Sequence, residues 1–459
     1  MVYTLSFLEN QYAQLTESVL SRSGLEGAAY LLCNRSVTDR EYKYLVKEIV
    51  PVEDKHYITR TATSLKIDSS SYVNVTKKAK LSGLSVIFVH SHPEGFKEFS
   101  PQDNIQEEKL HSFFDVRLPG TLNGSLVLSS NNTYAGRVWV SRQWEKISRI
   151  RVIGKQFRFL DNSNDEDAIP EFFARQVLVF GPEIQKLLKR LHIGVIGAGG
   201  TGSAVIEQLT RLGVGEISVF DGDSLEKSNV SRVYGSKVSR KRRNKAYVAK
   251  LNIDKIGLPT ISNSYTNYIT QESIAKKLRD CDLVFGCTDN QLSRAILTQL
   301  SLRYFIPLID VAVAINSDEN GLIRDITGRV TTFFPSEACL FCRRRINSRT
   351  IQLETLSKAE RRVLAEQRYA PALATDDPAV IMFTTAVSSQ AISELFHRLT
   401  LFVGEDRVST EVLLFFDQTR IRTNRETPKS DCVCQNTKYW GRGDSRDYLG
   451  MTWPDSNNS

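Results

Sequence analysis

Four residues between positions 90 and 103 have the types and the spacing of a metal site for hydrolysis. His90 and His92 end the apolar run VIFVHSH, seven residues separate His92 from Ser100, and Asp103 lies three residues further. Alternate residues of a strand leave the same face, which predicts both imidazoles on one side. SPQD is typical of a helix start with Ser100 as N-cap, so Asp103 in the first turn points back toward the strand end. Two imidazoles and one carboxylate form an open zinc site that keeps a position for water.

Hydrolysis at such a site also needs a proton acceptor that is not a metal ligand. Glu26, in the stretch GLEGAAYLL before a predicted strand, is the candidate. An isolated HxH pair or a glutamate before a strand is more often structural than catalytic. Their combination with the SxxD stretch at this spacing is far more specific for catalysis.

With these positions, residues from about 10 to 155 resemble the JAMM (JAB/MPN-type) metalloprotease family. The resemblance implies an α+β domain in which His90, His92 and Asp103 hold zinc. It further implies that Glu26 moves the proton and that Ser100 assists the oxyanion. Members of this family cleave peptide or isopeptide bonds after the C-terminal glycine of ubiquitin-like proteins. A degenerate copy without catalytic activity is the alternative for this domain.

A glycine-rich turn about a hundred residues later is typical of a phosphate-binding loop. Gly197, Gly199 and Gly202 form GxGxxG directly after the strand-like run HIGVIG and before a predicted helix. Glycines allow a tight turn and a close approach of phosphates to the helix N-terminus. Asp221, at the end of the next predicted strand, is placed to hold ribose hydroxyls. These features alone serve a dehydrogenase equally well.

The residues that follow favour ATP cleavage over hydride transfer. The stretch FDGDSLEKSNVSRVYG supplies Asp223, Asn229 and Arg232, Lys245 follows on a predicted helix, and FGCTDN places Asp289 at a strand end. A triphosphate and an attacking carboxylate bring many negative charges together, which basic side chains stabilise. A carboxylate in the same crevice is a candidate magnesium ligand.

Together with Arg175 in FFARQVLVFG, these residues resemble the ThiF/MoeB/HesA superfamily, the adenylating fold of ubiquitin-activating enzymes. The resemblance runs from about residue 171 to 435. It implies ATP and Mg²⁺ as ligands and a homodimer in which Arg175 reaches the γ-phosphate of the other protomer as an arginine finger. Taken singly, each basic residue is more often an ordinary surface charge.

The cysteines divide into a cluster and three scattered residues. Cys339 and Cys342 form CxxC, and Cys432 and Cys434 form CxC. The resemblance implies that these pairs hold a structural zinc, and four thiolates close a tetrahedral site. The CxC pair departs from the usual CxxC of the superfamily. The remaining cysteines are expected as small buried residues: Cys33, Cys281 and Cys287.

The segment between Cys342 and Cys432 contains no cysteine. Conjugating members of the family carry their thioester-forming cysteine in this crossover region. An acyl-adenylate is reactive enough for direct attack by an external acceptor, so we expect transfer without a self-thioester. The alternative is an oxyester on Thr375, for which only Asp376 and Asp377 are adjacent as bases.

The bulk properties predict a two-domain protein of the cytoplasm. Its 459 residues exceed one typical core, and no apolar run approaches the ~18 residues of a membrane span. The N-terminal stretch lacks the order of a signal peptide, and seven scattered cysteines favour a reducing cytosol. The net charge of +8 suits ATP or acidic protein partners. The basic run SRKRRNK has no interleaved aromatics, so we expect no specific nucleic acid as partner. The lack of a long apolar run likewise leads us to expect no membrane partner.

The order of predicted strands and helices changes along the chain and indicates an α/β protein. Short β-rich runs from 25 to 130, with helices near 9–20 and 103–114, fit the JAB/MPN-like α+β domain. Strand–helix alternation later predicts a Rossmann-like, ThiF-type domain with a mostly parallel sheet. The predicted divisions are a metalloprotease domain at 1–158, a linker at 159–170, an adenylation domain at 171–438 and a flexible tail at 439–459.

Both predicted sites act on the C-terminal tail of a ubiquitin-like protein. The first interpretation is a bacterial, cytoplasmic, homodimeric enzyme of a ubiquitin-like pathway, which adenylates the terminal glycine, cleaves after it and works with a conjugating enzyme. The alternative is a sulfur-carrier adenylyltransferase with a processing peptidase and a sulfur donor, in cofactor or cysteine biosynthesis. A third possibility is a scaffold without enzymatic activity, which the filled sites disfavour.

Overall fold

The computed structural model describes residues 1–21, 24–93, 95, 98–130, 133–161, 168–240, 242–318, 320–356, 360, 378–451 and 453. The chain forms two compact units. The first comprises Met1–Asp165, Arg303–Phe305 and Lys438–Asp447, and the second comprises Glu166–Leu302, Ile306–Thr437 and Tyr448–Ser459. No helix among the described residues is both long and apolar enough to cross a bilayer.

The first unit is built on a mixed β-sheet that closes on itself. Its strands are β1 Val2–Leu8, β2 Ala28–Val37, β3 Glu41–Pro51, β4 Tyr57–Arg60, β5 Leu65–Ile67, β6 Ser85–His92, β7 Asn123–Ser129, β8 Tyr134–Val140, β9 Gln143–Ile153 and β10 Phe157–Asp161. Its helices are α1 Glu9–Leu20, α2 Ser69–Ser82 and α3 Pro101–Arg117. The strand order is β1-β3-β2-β6-β7-β8-β9-β10, β1 also pairs with β9, and β4 and β5 form a separate hairpin.

The two faces of this sheet pack against different helices. Strand residues of odd number in β6, such as Ile87 and Val89, share a core with side chains of α1. Residues of even number, such as Val86 and Phe88, share a second core with side chains of α2 and α3. Because side chains alternate along a strand, His90 continues the even-numbered series. The histidines of β6 therefore face the side that α3 covers.

The helices of the first unit confirm part of the prediction and add one element. The helix α1 matches the expected span of 9–20, and α3 extends the expected 103–114 at both ends. The helix α2 was not expected, because its serine-rich start is typical of a turn. Its ends explain it: the Asp68 side chain accepts a hydrogen bond from Ser70 N, and Gly83 ends the helix at φ 65°.

Part of the segment predicted as a tail groups with the first unit. The side chain of Asn34 donates a hydrogen bond to Gly441 O at 2.8 Å. The backbone N–H of Val37 donates to Asp444 Oδ2 at 2.7 Å. Strand β2 thus provides two of the residues that hold this part of the chain.

The second unit is a sheet with helices connecting its strands. Its strands are β11 His192–Ile196, β12 Glu216–Phe220, β13 Ile261–Tyr265, β14 Leu283–Gly286, β15 Leu308–Ser317, β16 Ile323–Phe333, β17 Glu411–Phe415 and β18 Arg420–Asn424. The helices that follow residue 170 are α4 Ala174–Phe180, α5 Pro182–Arg190, α6 Gly200–Arg211, α7 Lys245–Ile256, α8 Glu272–Ala275, α9 Gln291–Tyr304, α10 Ser348–Thr355 and α11 Ile381–Thr400.

The prediction of a mostly parallel sheet is only partly confirmed, because the sheet is mixed. Its order is β13-β12-β11-β14-β15-β16-β17-β18. The strands from β13 to β15 pair in parallel, whereas β15 to β18 pair antiparallel. The parallel half has its switch point at β11, which lies between β12 and β14. Ligands of such sheets bind at the carboxyl ends of the strands beside this point.

Candidate functional site

The structure brings His90, His92 and Asp103 together, with one ligand-type atom of each within 4.8 Å of the others. His90 Nε2 lies 3.2 Å from His92 Nε2 and 3.4 Å from Asp103 Oδ1. His92 Nε2 lies 3.5 Å from Asp103 Oδ2. Both histidines are buried. Two imidazole nitrogens and a carboxylate facing one point fit a divalent metal with an open coordination position.

The start of α3 fixes the carboxylate of this group. Ser100 is the N-cap, as predicted: its Oγ accepts from Asp103 N at 3.1 Å, and its own N–H donates to Asp103 Oδ2 at 2.7 Å. Burial raises the pKa of Asp103, but hydrogen bonds from His90 and His92 outweigh it and hold that pKa well below its usual range. Asp103 is therefore ionised and ready to bind a cation.

The side chain of Glu26 interacts electrostatically with the three ligand residues. Burial raises the pKa of its side chain to about 7, against the lowering effect of His90 and His92, while Asp103 adds to the increase. Its backbone is fixed, because its carbonyl accepts a hydrogen bond from Arg60 Nε at 2.6 Å. A carboxyl group with this pKa exchanges protons readily near neutral pH, as a general base requires.

A second carboxylate reaches the same histidine and was missed by the sequence analysis. Glu107 in α3 is 2% exposed, and its Oε1 lies 3.4 Å from His90 Nδ1. Arg137 in β8 donates to Glu107 Oε2 at 2.7 Å. The signal that was available is the spacing, since Glu107 follows Asp103 by one helical turn.

The glycine-rich turn of the second unit lies at the switch point and is tightly packed. Gly197 has φ +90°, and a Cβ there would lie 2.5 Å from Cys287 O. A Cβ on Gly202 would lie 1.8 Å from Gly197 O, so only glycine fits. A Cβ on Gly199 would meet nothing within 4 Å. The loop therefore keeps an open space before α6, where a phosphate would meet the helix N-terminus.

The two acidic residues after β12 accept hydrogen bonds. Asp221 accepts one from the glycine-rich loop, and Asp223 accepts two from side chains of other segments. Asp221 Oδ2 accepts from Ala198 N at 2.7 Å, and burial raises the pKa of Asp221 despite this bond. Asp223 accepts from Lys245 Nζ at 2.9 Å and from the hydroxyl of Tyr268 at 2.5 Å. Burial favours the neutral form, but these two bonds lower the pKa of Asp223. The predicted Asp223 and Lys245 are thus in contact.

The other predicted residues of the nucleotide site either bond within their own loop or are exposed. Asn229 is buried, and its side chain accepts from Glu226 N at 3.1 Å, which stabilises its own loop. Arg232 donates to Ser228 O at 2.9 Å in the same loop. Asp289 is exposed between β14 and α9, and Arg175 is exposed in α4.

Glu354 in α10 is a further residue that the sequence analysis did not single out. Its two carboxylate oxygens accept from the backbone N–H groups of Gln291 at 3.1 Å and Leu292 at 2.6 Å. These groups belong to the first turn of α9, directly after Asp289. Glu354 therefore fixes the helix start next to the predicted magnesium ligand. This contact joins residues about sixty positions apart, so local sequence patterns do not predict it.

The four predicted cluster cysteines meet in the second unit. Their sulfur atoms lie within 4.8 Å of one another, with Cys339 3.5 Å from Cys432 and Cys342 3.6 Å from Cys434. Four thiols at this spacing fit a tetrahedral zinc site. The remaining three cysteines are buried, as expected: Cys33, Cys281 and Cys287. The alternative acyl acceptor and its neighbours lie outside the described residues: Thr375, Asp376 and Asp377.

The family comparison concerns the second unit of this chain. The ThiF family model matches residues 173–436, almost all of which belong to that unit. Sulfur carrier protein ThiS adenylyltransferase of Bacillus subtilis is 31% identical over 141 residues, which cover 30% of this chain and 42% of that protein. Sulfur carrier protein adenylyltransferase of Thermus thermophilus is 31% identical over 143 residues, which cover 31% of this chain and 53% of that protein.

The chain spans about half the length of these two curated relatives. Among solved structures, that of E. coli MccB with MccA-N7isoASN is similar at a TM-score of 0.47 and 15% identity, covering 59% of this chain and 76% of that chain. The family model, in contrast, spans more than half of the 459 residues. The chain therefore belongs to the ThiF family.

Proposed function

We propose that the second unit adenylates the C-terminal glycine of a small carrier protein. The observation that carries this proposal is the placement of three loops at the carboxyl ends of β11, β12 and β14. The first is the glycine turn, the second contains Asp221 and Asp223, and the third contains Asp289. The loop after β12 also has Lys245 bonded to it. This crevice combines a phosphate cradle, a ribose acceptor and charged groups of both signs.

The proposed reaction joins a carboxylate to AMP. A carboxylate oxygen of the terminal glycine attacks the α-phosphorus of ATP, the bond to the bridging oxygen of the β-phosphate breaks, and pyrophosphate leaves. In this scheme Asp221 holds the ribose, and Lys245 and Arg232 stabilise the phosphate charge. Asp289 would hold Mg²⁺, which supplies charge neutralisation when bound.

The carrier class that we favour is a sulfur carrier. The two relatives described above are named for adenylation of sulfur carrier proteins. The lack of a cysteine between Cys342 and Cys432 agrees, because adenylation alone suffices for thiocarboxylate formation. This order reverses the sequence-based preference for a ubiquitin-like conjugation pathway, which becomes the second candidate.

For the first unit we propose a zinc-dependent peptidase that acts on the same carrier tail. His90, His92 and Asp103 would hold the ion, which supplies Lewis acidity toward a carbonyl group when bound. Glu26 would take a proton from the attacking water and give it to the leaving amine. The proposal is supported by the converging ligand atoms and by the raised pKa of Glu26.

Two parts of the proposal concern assembly and the structural metal. We propose that the exposed Arg175 acts in the site of a second copy of the chain within a homodimer. We also propose that the four-cysteine cluster holds a structural zinc ion, whose closed ligand set leaves no position for substrate.

Exchange of pyrophosphate into ATP tests the proposed activation. The full chain with ATP, magnesium and the sulfur carrier ThiS, or separately with ubiquitin, should exchange label only when the added protein ends in glycine. The matched control is each protein with its terminal carboxylate converted to an amide, which removes the attacking carboxylate. Exchange that is equal with and without either protein would contradict the proposal.

The fate of the adenylate gives a further expected outcome. We expect no covalent adduct between this chain and the carrier on denaturing gels, because the chain contains no cysteine between Cys342 and Cys432. Adding a sulfide source should convert the carrier C-terminus to a thiocarboxylate, detected by its mass. A thiol-sensitive adduct would contradict direct transfer, and a thiol-resistant, hydroxylamine-sensitive one would point to the oxyester on Thr375.

A further inference from the structure

The buried imidazole of His90 faces a different carboxylate through each of its nitrogens. Its Nε2 lies 3.4 Å from Asp103 Oδ1, in the candidate metal centre. Its Nδ1 lies 3.4 Å from Glu107 Oε1. Neither this nitrogen nor this oxygen has a hydrogen-bond partner among the described residues, although both are buried. Two unsatisfied buried groups that face each other are complementary if Nδ1 carries the proton.

Helix α3 supplies both carboxylates from one face. Asp103 lies in its first turn, and Glu107 follows four residues later. Residues four apart lie above one another on a helix. The same helix therefore provides a ligand-type oxygen for the centre and an acceptor behind one of its histidines.

Arg137 holds the carboxylate of Glu107 in a fixed orientation. Its Nη2 and Nε donate to Glu107 Oε2 at 2.7 and 3.3 Å. Its guanidinium carbon lies 3.6 Å from the ring centre of Phe99 and 3.9 Å from that of Trp144, and its Nη1 donates to Asn104 at 2.5 Å. The arginine is thus held by two aromatic rings and by Asn104. With Oε2 occupied, Oε1 is left for His90.

We propose that Glu107 is a positioning residue of the metal centre, held in place by Arg137. It accepts a hydrogen bond from Nδ1–H of His90 and so directs the lone pair of Nε2 toward the metal. Which nitrogen of a ligating histidine binds the metal is set by the hydrogen bond of the other nitrogen. This inference rests on the proposed metal centre of the first unit.

Zinc binding to the full chain tests the inference without a substrate. We expect Glu107→Gln to weaken zinc binding at the histidine centre by about 10- to 100-fold, measured by competition with a chelator. The four-cysteine cluster is the internal reference and should keep its zinc. Glu108→Gln, an exposed neighbour in the same helix, should bind zinc as the unchanged chain does.

The combined variant His90→Ala/His92→Ala defines the signal of the histidine centre. If it holds as much zinc as the unchanged chain, the metal centre itself is wrong, and the inference falls with it. If it loses one zinc ion per chain while Glu107→Gln binds with unchanged affinity, only the positioning role is overturned. Weakened binding in Glu107→Gln with an unchanged Tm of the zinc-free protein supports the role.

A second variant controls for misfolding caused by the Arg137 charge, which Glu107→Gln leaves unpaired. Glu107→Gln/Arg137→Met removes both charges, and methionine is flexible enough to pack against the two aromatic rings. It should show the same weakened zinc binding. Cobalt added in place of zinc should also give a changed visible spectrum at the histidine centre. Zinc affinity and a cobalt spectrum equal to those of the unchanged chain would overturn the inference.

Discussion

Replacing Asp289 with alanine is expected to lower carrier-dependent pyrophosphate exchange by about 10²- to 10³-fold, which is typical for loss of one group that stabilises charge in a transition state. The exposed carboxylate follows β14, whose end adjoins the start of the glycine turn, because Cys287 N donates a hydrogen bond to Ile196 O at 2.8 Å. Its removal takes away the proposed magnesium ligand. The fold should remain, because Glu354 holds the start of α9 independently of this side chain.

A surface aspartate of the same unit provides the matched control. Asp406 is exposed in the stretch that follows α11, and Asp406→Ala should exchange pyrophosphate at the unchanged rate. Thermal unfolding of both variants should coincide with that of the unchanged chain. Exchange by Asp289→Ala at the full rate, at limiting magnesium concentration, would contradict the assignment.

The residues of both candidate sites were predictable where chemistry depends on local spacing. The alternation of His90 and His92 determines one face of β6, and the SPQD stretch determines the cap that fixes Asp103. The glycines of the second unit were predictable for a steric reason, since Gly202 has no space for a Cβ. In each case a short stretch of chain contains all the information that is needed.

Features that depend on distant partners were not predictable in this way. The sheet of the second unit continues antiparallel beyond β15, because β16 returns beside β15 and then pairs with β17 from about eighty residues later in the chain. The contact of Glu354 with the start of α9 likewise joins distant segments. Glu107 is intermediate: its helical spacing was visible, but the buried Arg137 that fixes it lies in another strand.

The largest effect in the first unit is expected from Glu26→Gln, which should lower cleavage of a carrier with a C-terminal extension by about 10²- to 10⁴-fold. The substitution removes the proton acceptor and leaves the three ligand residues unchanged. The fold should tolerate a neutral side chain at this position, because burial already raises the pKa of Glu26 to about 7. Zinc content should therefore remain that of the unchanged chain.

The measurement joins a cleavage assay to metal analysis of the same preparations. Glu17→Gln, an exposed position of α1, is the matched control and should cleave at the unchanged rate. Loss of zinc together with cleavage in Glu26→Gln would assign Glu26 to the ligand set and not to proton transfer. Full cleavage by Glu26→Gln with full zinc content would show that another group accepts the proton. If the unchanged chain binds zinc but does not cleave, the peptidase proposal is overturned, and the adenylation proposal is unaffected.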